Sequence, residues 1–325
     1  MQENTVKTIG VLTSGGDAPG MNAAIRAVTR AGIIRGFRVV GVRRGYKGLL
    51  ERDIQGLNLR SVSNILQQGG TMLYTSRCPE FMEQRYVKLA ADICREEGID
   101  VLVTIGGDGT YRGALALSQE GIDCIGIPGT IDNDISSSDY TIGFDTAVNT
   151  VVQMVDRVRD TARSHDRCSV VEVMGRHAGY IAVESGIACG ALCVLVPETP
   201  FDLQRDVIER MMEALNNGKQ HFIIVVAEGA GHAPEIAAEI RERTHIETNH
   251  VVLGYVQRGG SPTSMDRVMA SRMGCHAVDL IAAGKKNRVV VRRHGEVTDF
   301  DIAEALAMTK KLDMGMVRVA DSISI

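Results

Sequence analysis

The chain has 325 residues, of which 44% are hydrophobic and 23% charged, and its formal net charge is −4. This length is long for a single hydrophobic core, so we expect two domains. A net negative charge argues against nucleic acid or a membrane surface as a partner, because both require a dominant basic patch. No apolar run approaches the roughly 18 residues of a membrane-spanning helix, and the first residues lack the apolar core of a signal peptide. We therefore expect a cytoplasmic protein.

Cysteine and histidine are scattered along the chain. The seven cysteines form no CxxC pair, which is typical of thiols kept in a reducing compartment. The eight histidines show no HExxH or other tight ligand spacing, so we expect no structural transition-metal site.

Short β-branched runs alternate with longer amphipathic stretches. In chain order, the expected strands are KTIGVLT, RVVGVR, DVLVTIG, CIGIPG, SVVEVM, LCVLVP, FIIVVAEG and HVVLGYV. The expected helices lie near residues 20–35, 80–97, 145–165, 202–217, 235–243 and 264–283, the last ended by Gly284. This alternation predicts βαβ units on parallel sheets, hence an α/β fold.

Two Gly-Gly-Asp turns follow predicted buried strands and precede predicted helices, at residues 13–17 and 104–108. Glycine lets backbone N–H groups approach an anion, and the positive N-terminus of the next helix favours a phosphate. Neither a GxxxxGK[ST] nor a GxGxxG motif is present, so the turns are no ordinary P-loop or dinucleotide fingerprint. The second turn adds Asp108, a carboxylate that would repel phosphates unless Mg²⁺ lies between them.

A third segment, PGTIDND at residues 128–134, carries two acids close together, Asp132 and Asp134. Crowded carboxylates are expensive unless a metal, a cation or a base role requires them. A solvated acidic turn is the alternative for this segment alone.

Six long motifs, in this order, resemble those of bacterial ATP-dependent 6-phosphofructokinases: GVLTSGGDAPGMNAAIR, IGGDGT, PGTIDND, TIGFDTA, VEVMGR and LGYVQRGGSP. The resemblance covers almost the whole chain. It implies two doubly wound, Rossmann-like α/β domains with mostly parallel sheets and the active site in the cleft between them. The implied nucleotide-binding domain comprises residues 1–143 and 257–308, and the implied sugar-phosphate-binding domain comprises residues 144–256 and 309–325. It also implies a homotetramer whose active sites use a neighbouring subunit.

On the nucleotide side, the resemblance makes Gly16 a backbone donor to the ATP phosphates, Arg77 a phosphate contact and Asp108 the Mg²⁺ ligand. The implied nucleotide-binding residues are Gly16, Arg77, Cys78, Gly107, Asp108, Gly109 and Thr110.

On the sugar side, Asp132 resembles the general base that takes the proton from the 1-hydroxyl of fructose 6-phosphate. Thr130, Asp134 and Arg176 would orient that hydroxyl and stabilise the transferring phosphoryl group, with Gly16 completing the catalytic set. The implied substrate-binding residues are Thr130, Asp132, Asp134, Arg167, Met174, Gly175, Arg176, Glu228, Asn249, Tyr255 and Arg258, of which Arg167 would be lent by the adjacent subunit.

Three alternatives remain beside this reading. A pyrophosphate-dependent phosphofructokinase is disfavoured, because those relatives typically carry Asp and Lys where this chain has Gly109 and Gly129. A GGDGT-type kinase for NAD or lipid would leave PGTIDND and QRGGSP unexplained. A sugar-phosphate-sensing paralogue without turnover is suggested by Asn249 and Tyr255, which replace an arginine and a histidine of the family pattern.

The site at which family members bind ADP or phosphoenolpyruvate departs further from the pattern. Four cations match it: Arg26, Arg30, Arg159 and Lys219. The usual arginine, magnesium-binding glutamate and two lysines are replaced by Leu59, Leu192, Asn217 and Gln220. We expect a reduced or absent response to these effectors, and a sigmoidal sugar-saturation curve that ADP makes hyperbolic would contradict this.

Overall fold

The computed structural model describes residues 7–324 of the chain. Within that range the chain forms two compact units, one of residues 7–131, 135–145 and 258–310, and one of residues 132–134, 146–257 and 311–324. The expected domain boundaries, after residues 143, 256 and 308, fall within two residues of three of these junctions. The short excursion at 132–134 was not expected, and residues 1–6 and 325 of the expected ranges lie outside the described part.

The first unit is built on a seven-stranded sheet. Its strands are β1 (Thr8–Ser14), β2 (Arg38–Val42), β3 (Ile54–Leu57), β4 (Val101–Gly106), β5 (Asp123–Pro128), β10 (Arg288–Arg293) and β11 (Glu296–Asp301). Their order is β11-β10-β5-β4-β1-β2-β3, parallel except for the antiparallel edge pairs β2–β3 and β10–β11. β1 and β4 are wholly buried neighbours, paired from Ile9–Val101 to Ser14–Gly106. The carboxyl ends of these two strands therefore lie side by side.

Helices cover this sheet. They are α1 (Met21–Ile34), α2 (Gly45–Leu50), α3 (Gln84–Glu96), α4 (Asp108–Gln119), α9 (Ser264–Ala282) and α10 (Ile302–Ala307). A Cβ on Gly274 would lie 2.7 Å from that of Ala27, so glycine allows α9 to pack closely on α1. The helix α5 (Phe144–Ser164) begins in this unit and continues the chain into the other.

The second unit has a smaller sheet of four parallel strands. Its strands are β6 (Cys168–Val173), β7 (Cys193–Leu195), β8 (Phe222–Ala227) and β9 (Thr248–Val252), in the order β7-β8-β6-β9. Its further helices are α6 (Tyr180–Ala188), α7 (Arg210–Asn216), α8 (Ala233–Thr244) and α11 (Met314–Ser322), and a π-helical turn (Gln204–Glu209) precedes α7. The α/β class with mostly parallel sheets is thus confirmed.

One local prediction needs correction, and one pair of strands was missed. HVVLGYV was expected to be one strand, but β9 ends at Val252 and a 3-10 turn runs from Gly254 to Arg258, because Gly254 takes a left-handed φ of 53°. The pair β10–β11 was not predicted, although His294 and Gly295 between its strands both adopt positive φ, as a tight hairpin turn requires. Among the described residues, no helix is long and apolar enough to cross a membrane.

Candidate active site

The turn after β1 is shaped to receive an anion. Gly15 adopts a φ of 89°, and α1 begins five residues after Gly16 with no acidic residue in its first turn. A Cβ on Gly16 would lie 1.9 Å from Nη1 of Arg258, so only glycine is compatible with this arginine position. The Arg258 guanidinium also donates to the carbonyl of Asp17 at 3.4 Å. Backbone N–H groups, a helix N-terminus and a guanidinium therefore converge here, as phosphate binding requires.

The turn after β4 lies beside the first turn. Thr110 is buried and its Oγ1 donates to the carbonyl of Ser14 at 3.1 Å, which joins the two turns. A Cβ on Gly106 would lie 2.4 Å from that same carbonyl oxygen. Gly107 immediately precedes α4. Asp108, the first residue of α4, and Gly109 are both exposed beyond the carboxyl end of β4. Thr110, expected at the nucleotide, thus has an internal hydrogen bond that the sequence did not reveal.

Asp108 is suited to hold Mg²⁺ together with a nucleotide. Mg²⁺ keeps several water ligands and usually takes one or two carboxylates plus substrate phosphates. Within residues 7–324, no cluster of three or more acidic, histidine or cysteine side chains could hold a metal by itself. One exposed carboxylate beside a phosphate cradle fits the first mode of binding.

The loop that carries Arg77 is tied to the first turn. The Thr13 hydroxyl donates to the carbonyl of Tyr74 at 2.9 Å, and the Thr75 hydroxyl donates to the carbonyl of Gly15 at 2.7 Å. Asn22, buried on α1, accepts from the backbone N–H of Met72 at 2.7 Å. Arg77 is exposed at the end of this fastened loop.

Cys78 follows Arg77 and is half-buried. Its thiol donates to Glu80 Oε2 at 3.5 Å, and burial, with this bond, raises its pKa to about 11. The thiol is therefore neutral at pH 7 and contributes packing instead of charge.

The acidic segment leaves β5 at Pro128. Gly129 donates its N–H to the carbonyl of Gly106 at 3.0 Å, which aligns the segment with the turn after β4. Asn133, with a φ of 51°, separates Asp132 from Asp134, and Asp132 is 7% exposed. In the second unit, burial, Glu198 and Asp134 raise the pKa of Tyr180 to about 12.

The turn after β6 holds Arg176 in an uncommon conformation. Gly175 and Arg176 have φ of 141° and 59°, and both N–H groups donate to Glu228 Oε1, at 3.3 and 2.7 Å. The N–H of Met174 donates to Oε1 of Gln257, which is wholly buried. Arg176 itself is exposed and so is accessible to a ligand. Glu228, expected to contact the sugar, therefore also fixes this turn.

Other expected sugar contacts lie elsewhere in the second unit. Arg167 immediately precedes β6 and forms an ion pair with Glu247 at 2.8 Å, and Asn249 is exposed on the adjacent β9. The six residues of β6 place Arg167 about 20 Å from the turn at Met174. Within its own unit, the chain thus does not bring Arg167 to that turn. Tyr255 is 82% exposed in the 3-10 turn.

The candidate effector cations divide between the units. Arg26 and Arg30 lie on α1. In the second unit, Arg159 donates to the carbonyl of Cys189 and Lys219 donates to the carbonyl of Ser324 at 2.7 Å. Burial and the charge of Arg159 lower the pKa of Lys219.

The residues that replace the usual effector ligands lie in different surroundings. Leu192 is buried in the hydrophobic core of the second unit, whereas Leu59 is 41% exposed in the first. The reduced response to effectors stays a prediction.

Several residues that support the site were missed by the sequence analysis. They are Thr13, Asn22, Tyr140, Thr141, Gln257 and Asp266. Most lie inside motifs that were recognised, but no local pattern indicates which distant backbone group a buried polar side chain will meet.

Glycine turns at the ends of adjacent parallel strands, beside an exposed carboxylate, define an α/β protein that binds phosphorylated ligands. Residues 8–281 match the family model described as Phosphofructokinase. The chain is 51% identical over 320 residues to the ATP-dependent 6-phosphofructokinase of Bacillus thuringiensis (strain Al Hakam), a match that covers 98% of this chain and all of the relative. This chain belongs to the phosphofructokinase family.

Solved structures agree with that assignment. The phosphofructokinase of Saccharomyces cerevisiae superimposes with a TM-score of 0.87 at 32% identity, and that of Pichia pastoris with 0.89 at 33%. Each match covers 98% of this chain but only 48% and 37%, respectively, of the yeast chains. The chain thus spans about half the length of the first of these relatives and less than half of the second.

Proposed function

We propose that this protein transfers the γ-phosphoryl group of ATP to the 1-hydroxyl of D-fructose 6-phosphate, giving fructose 1,6-bisphosphate. The observation that carries this proposal is the pair of joined glycine turns after β1 and β4, with Asp108 beside them, in a chain 51% identical to an ATP-dependent 6-phosphofructokinase along its length. We assign nucleotide binding to the first unit and most of the sugar-phosphate contacts to the second, with Thr130 and Arg258 supplied by the first, in a cytoplasmic reaction.

In this mechanism the first unit binds and orients the nucleotide. The N–H of Gly16 and the side chain of Arg77 bind phosphate oxygens, and Gly107 and Gly109 leave room for them. Asp108 would hold Mg²⁺, which neutralises charge on the phosphates when bound. Phosphoryl transfer needs positioning and charge stabilisation above all, and these groups supply both.

The sugar is activated by carboxylates. Asp132 accepts the proton of the 1-hydroxyl as its oxygen attacks the γ-phosphorus of ATP and ADP leaves, and Thr130 and Asp134 orient that hydroxyl. Arg176 stabilises negative charge on the transferring phosphoryl group. Met174, Gly175 and Glu228 contact the sugar, and Arg258 binds its phosphate.

The first test compares ATP with pyrophosphate in the presence of Mg²⁺ and saturating fructose 6-phosphate, for the wild type and Asp132→Ser. We expect turnover with ATP and none with pyrophosphate. In Asp132→Ser we expect kcat to fall at least about 100-fold, since a general base contributes about 10²- to 10⁴-fold to the rate. Circular dichroism of the variant controls for folding. Turnover with pyrophosphate would establish the alternative donor, and none with either donor would favour a sensing role.

We further propose a homotetramer in which Arg167 and Asn249 act on a neighbouring subunit. The position of Arg167, at the opposite end of β6 from the turn at Met174, supports this proposal. Light scattering at working concentration tests the assembly, and a monomer with full activity would refute it.

A further inference from the structure

In the first unit, residues 140–143 lie behind the start of the acidic segment. The N–H of Ile142 donates to the carbonyl of Pro128 at 2.9 Å, and Gly129 and Ile142 pair as an isolated bridge. Thr141 is wholly buried, and its Oγ1 donates to the carbonyl of Thr130 at 2.7 Å. The Thr141 hydroxyl thus contacts the peptide unit two residues before the proposed base.

This supporting segment is held in turn by Asp266, the third residue of α9. Its side chain is completely buried, and Oδ1 accepts from the Tyr140 hydroxyl at 2.5 Å and from the N–H of Gly143 at 2.7 Å. Thr263 caps the same helix turn by accepting from the N–H of Asp266, and donates to Asp145 Oδ2 at 2.5 Å. The two ends of residues 140–145 are therefore fixed to the start of α9.

The contacts that hold residues 140–143 combine hydrogen bonds to a buried carboxylate with close packing. Hydrogen bonds to a carboxylate are roughly twice as strong as those between neutral groups. Burial, together with Asp266, raises the pKa of Tyr140 well above its ordinary value, so this hydroxyl keeps its proton and donates at neutral pH. A Cβ on Gly20 would lie 2.7 Å from Ile142, and one on Gly143 the same distance from Ala18. The residues between β1 and α1 thus also pack against residues 140–143.

We propose that Asp266 is a positioning residue for phosphoryl transfer. Through Tyr140, Gly143 and Thr141 it fixes the backbone of Thr130, and thereby the course of the chain into Asp132. It acts through this loop and not by contact with ATP or the sugar. The catalytic consequence rests on the proposed function, whereas the structural link does not.

The kinetic test uses Thr141→Val, which removes the donor to Thr130, and Thr141→Ser, which keeps it. We expect kcat to fall about 10- to 100-fold in the valine variant, because a displacement of about 1 Å can cost 100-fold. The serine variant should regain most of the loss, and KM for both substrates should change less than about threefold. Asp266→Asn and Tyr140→Phe should lower kcat in the same way.

Asp100→Asn is the control variant. Asp100 Oδ2 also accepts two hydrogen bonds, from the N–H groups of Lys7 and Thr8, but it lies at the amino-terminal ends of β1 and β4, away from the glycine turns. Its kcat should equal that of the wild type. Asp266→Asn combined with Thr141→Val should be little worse than the poorer single variant, because both act on one loop.

Hydrogen exchange of the peptide covering residues 129–134, followed by mass spectrometry without substrates, tests the link independently of turnover. Exchange should be faster in Asp266→Asn and Thr141→Val, and unchanged in Asp100→Asn. Unchanged exchange in both variants, or faster exchange with a wild-type kcat, would overturn the proposal. An inactive wild type whose exchange still responds in this way would refute the proposed function alone.

Discussion

Arg176 shows how much one residue in this site depends on another. Its φ of 59° is uncommon for a residue with a side chain, so the surroundings must hold it. Glu228 does so by accepting the N–H groups of Gly175 and Arg176 on one oxygen. A Cβ on Gly229 would lie 2.3 Å from the carbonyl oxygen of Arg176, so the following residue must be small.

Substitutions of Glu228 should distinguish the effect of its hydrogen bonds to the Gly175–Arg176 turn from the effect of its negative charge. Glu228→Gln keeps an acceptor oxygen, so kcat should stay within about threefold of the wild type, whereas Glu228→Ala leaves two N–H groups without it, at a cost of about 1–3 kcal/mol. We expect kcat of the alanine variant to fall at least about tenfold. Steady-state kinetics on both variants measure this, and equal losses would show that the charge matters more than the turn.

Gly109 offers a test of donor choice. Apart from its chain neighbours and the backbone of its own helix, no atom of the described residues lies within 4 Å of a Cβ built at Gly109, so Gly109→Asp should fold normally. Its carboxylate would face the ATP phosphates, and we expect KM for ATP to rise about tenfold or more by repulsion. Gly109→Asn, of the same size without charge, is the matched control. A similar rise in both variants would indicate bulk as the cause.

At the scale of elements, the hairpin β10–β11 closes one edge of the larger sheet. Asp299 on β11 is mostly buried and lies between two cations, Arg288 at 2.6 Å and Lys285 at 3.4 Å, with the His276 ring at 3.6 Å. Burial alone would raise its pKa, but the hydrogen bond and charge of Arg288, aided by Lys285, lower it overall. The folded protein thus favours the ionised form.

This shift predicts a pH dependence of stability. A carboxyl whose pKa is lower in the folded state stabilises it above the unfolded pKa of about 3.9, and that contribution is lost as pH falls through the lower folded pKa. Asp299→Asn should therefore be less stable at pH 6, with the difference shrinking below pH 4. Urea unfolding at several pH values measures this. Glu296→Gln, at an exposed position of the same strand, is the control and should show little change.

At the scale of the whole molecule, each unit presents its candidate residues mainly where strands end. In the first unit these follow β1, β4 and β5, and in the second they follow β6 and β8. Open α/β sheets bind ligands at the carboxyl ends of their strands, because helix N-termini and backbone donors gather there. Arg167 and Asn249 depart from this rule.

Asn249 provides a test of the proposed assembly. Asn249→Arg restores a cation on the exposed strand β9, and we expect KM for fructose 6-phosphate to fall about tenfold, the worth of one charge-assisted contact. His250→Arg adds the same charge at the next residue, whose side chain points to the opposite face. An equal effect of both variants would indicate a general electrostatic attraction instead of a specific contact.

The amino-acid sequence by itself determined the alternation of strands and helices, the two glycine turns and the acidic segment, because these depend on local periodicity and on short motifs. It also indicated the family, since long motifs keep their order. It did not indicate β3, the π-helical turn before α7, or the end of β9 at Val252, where edge pairing and a single backbone angle decide.

Only the tertiary structure decided which polar side chains support the site. Asp266 meets Tyr140 across 126 residues of sequence, and Gln257 meets Met174 across 83. A buried carboxylate or amide must find its partners wherever the fold brings them, and that pairing is a property of the packed chain, not of any segment of it.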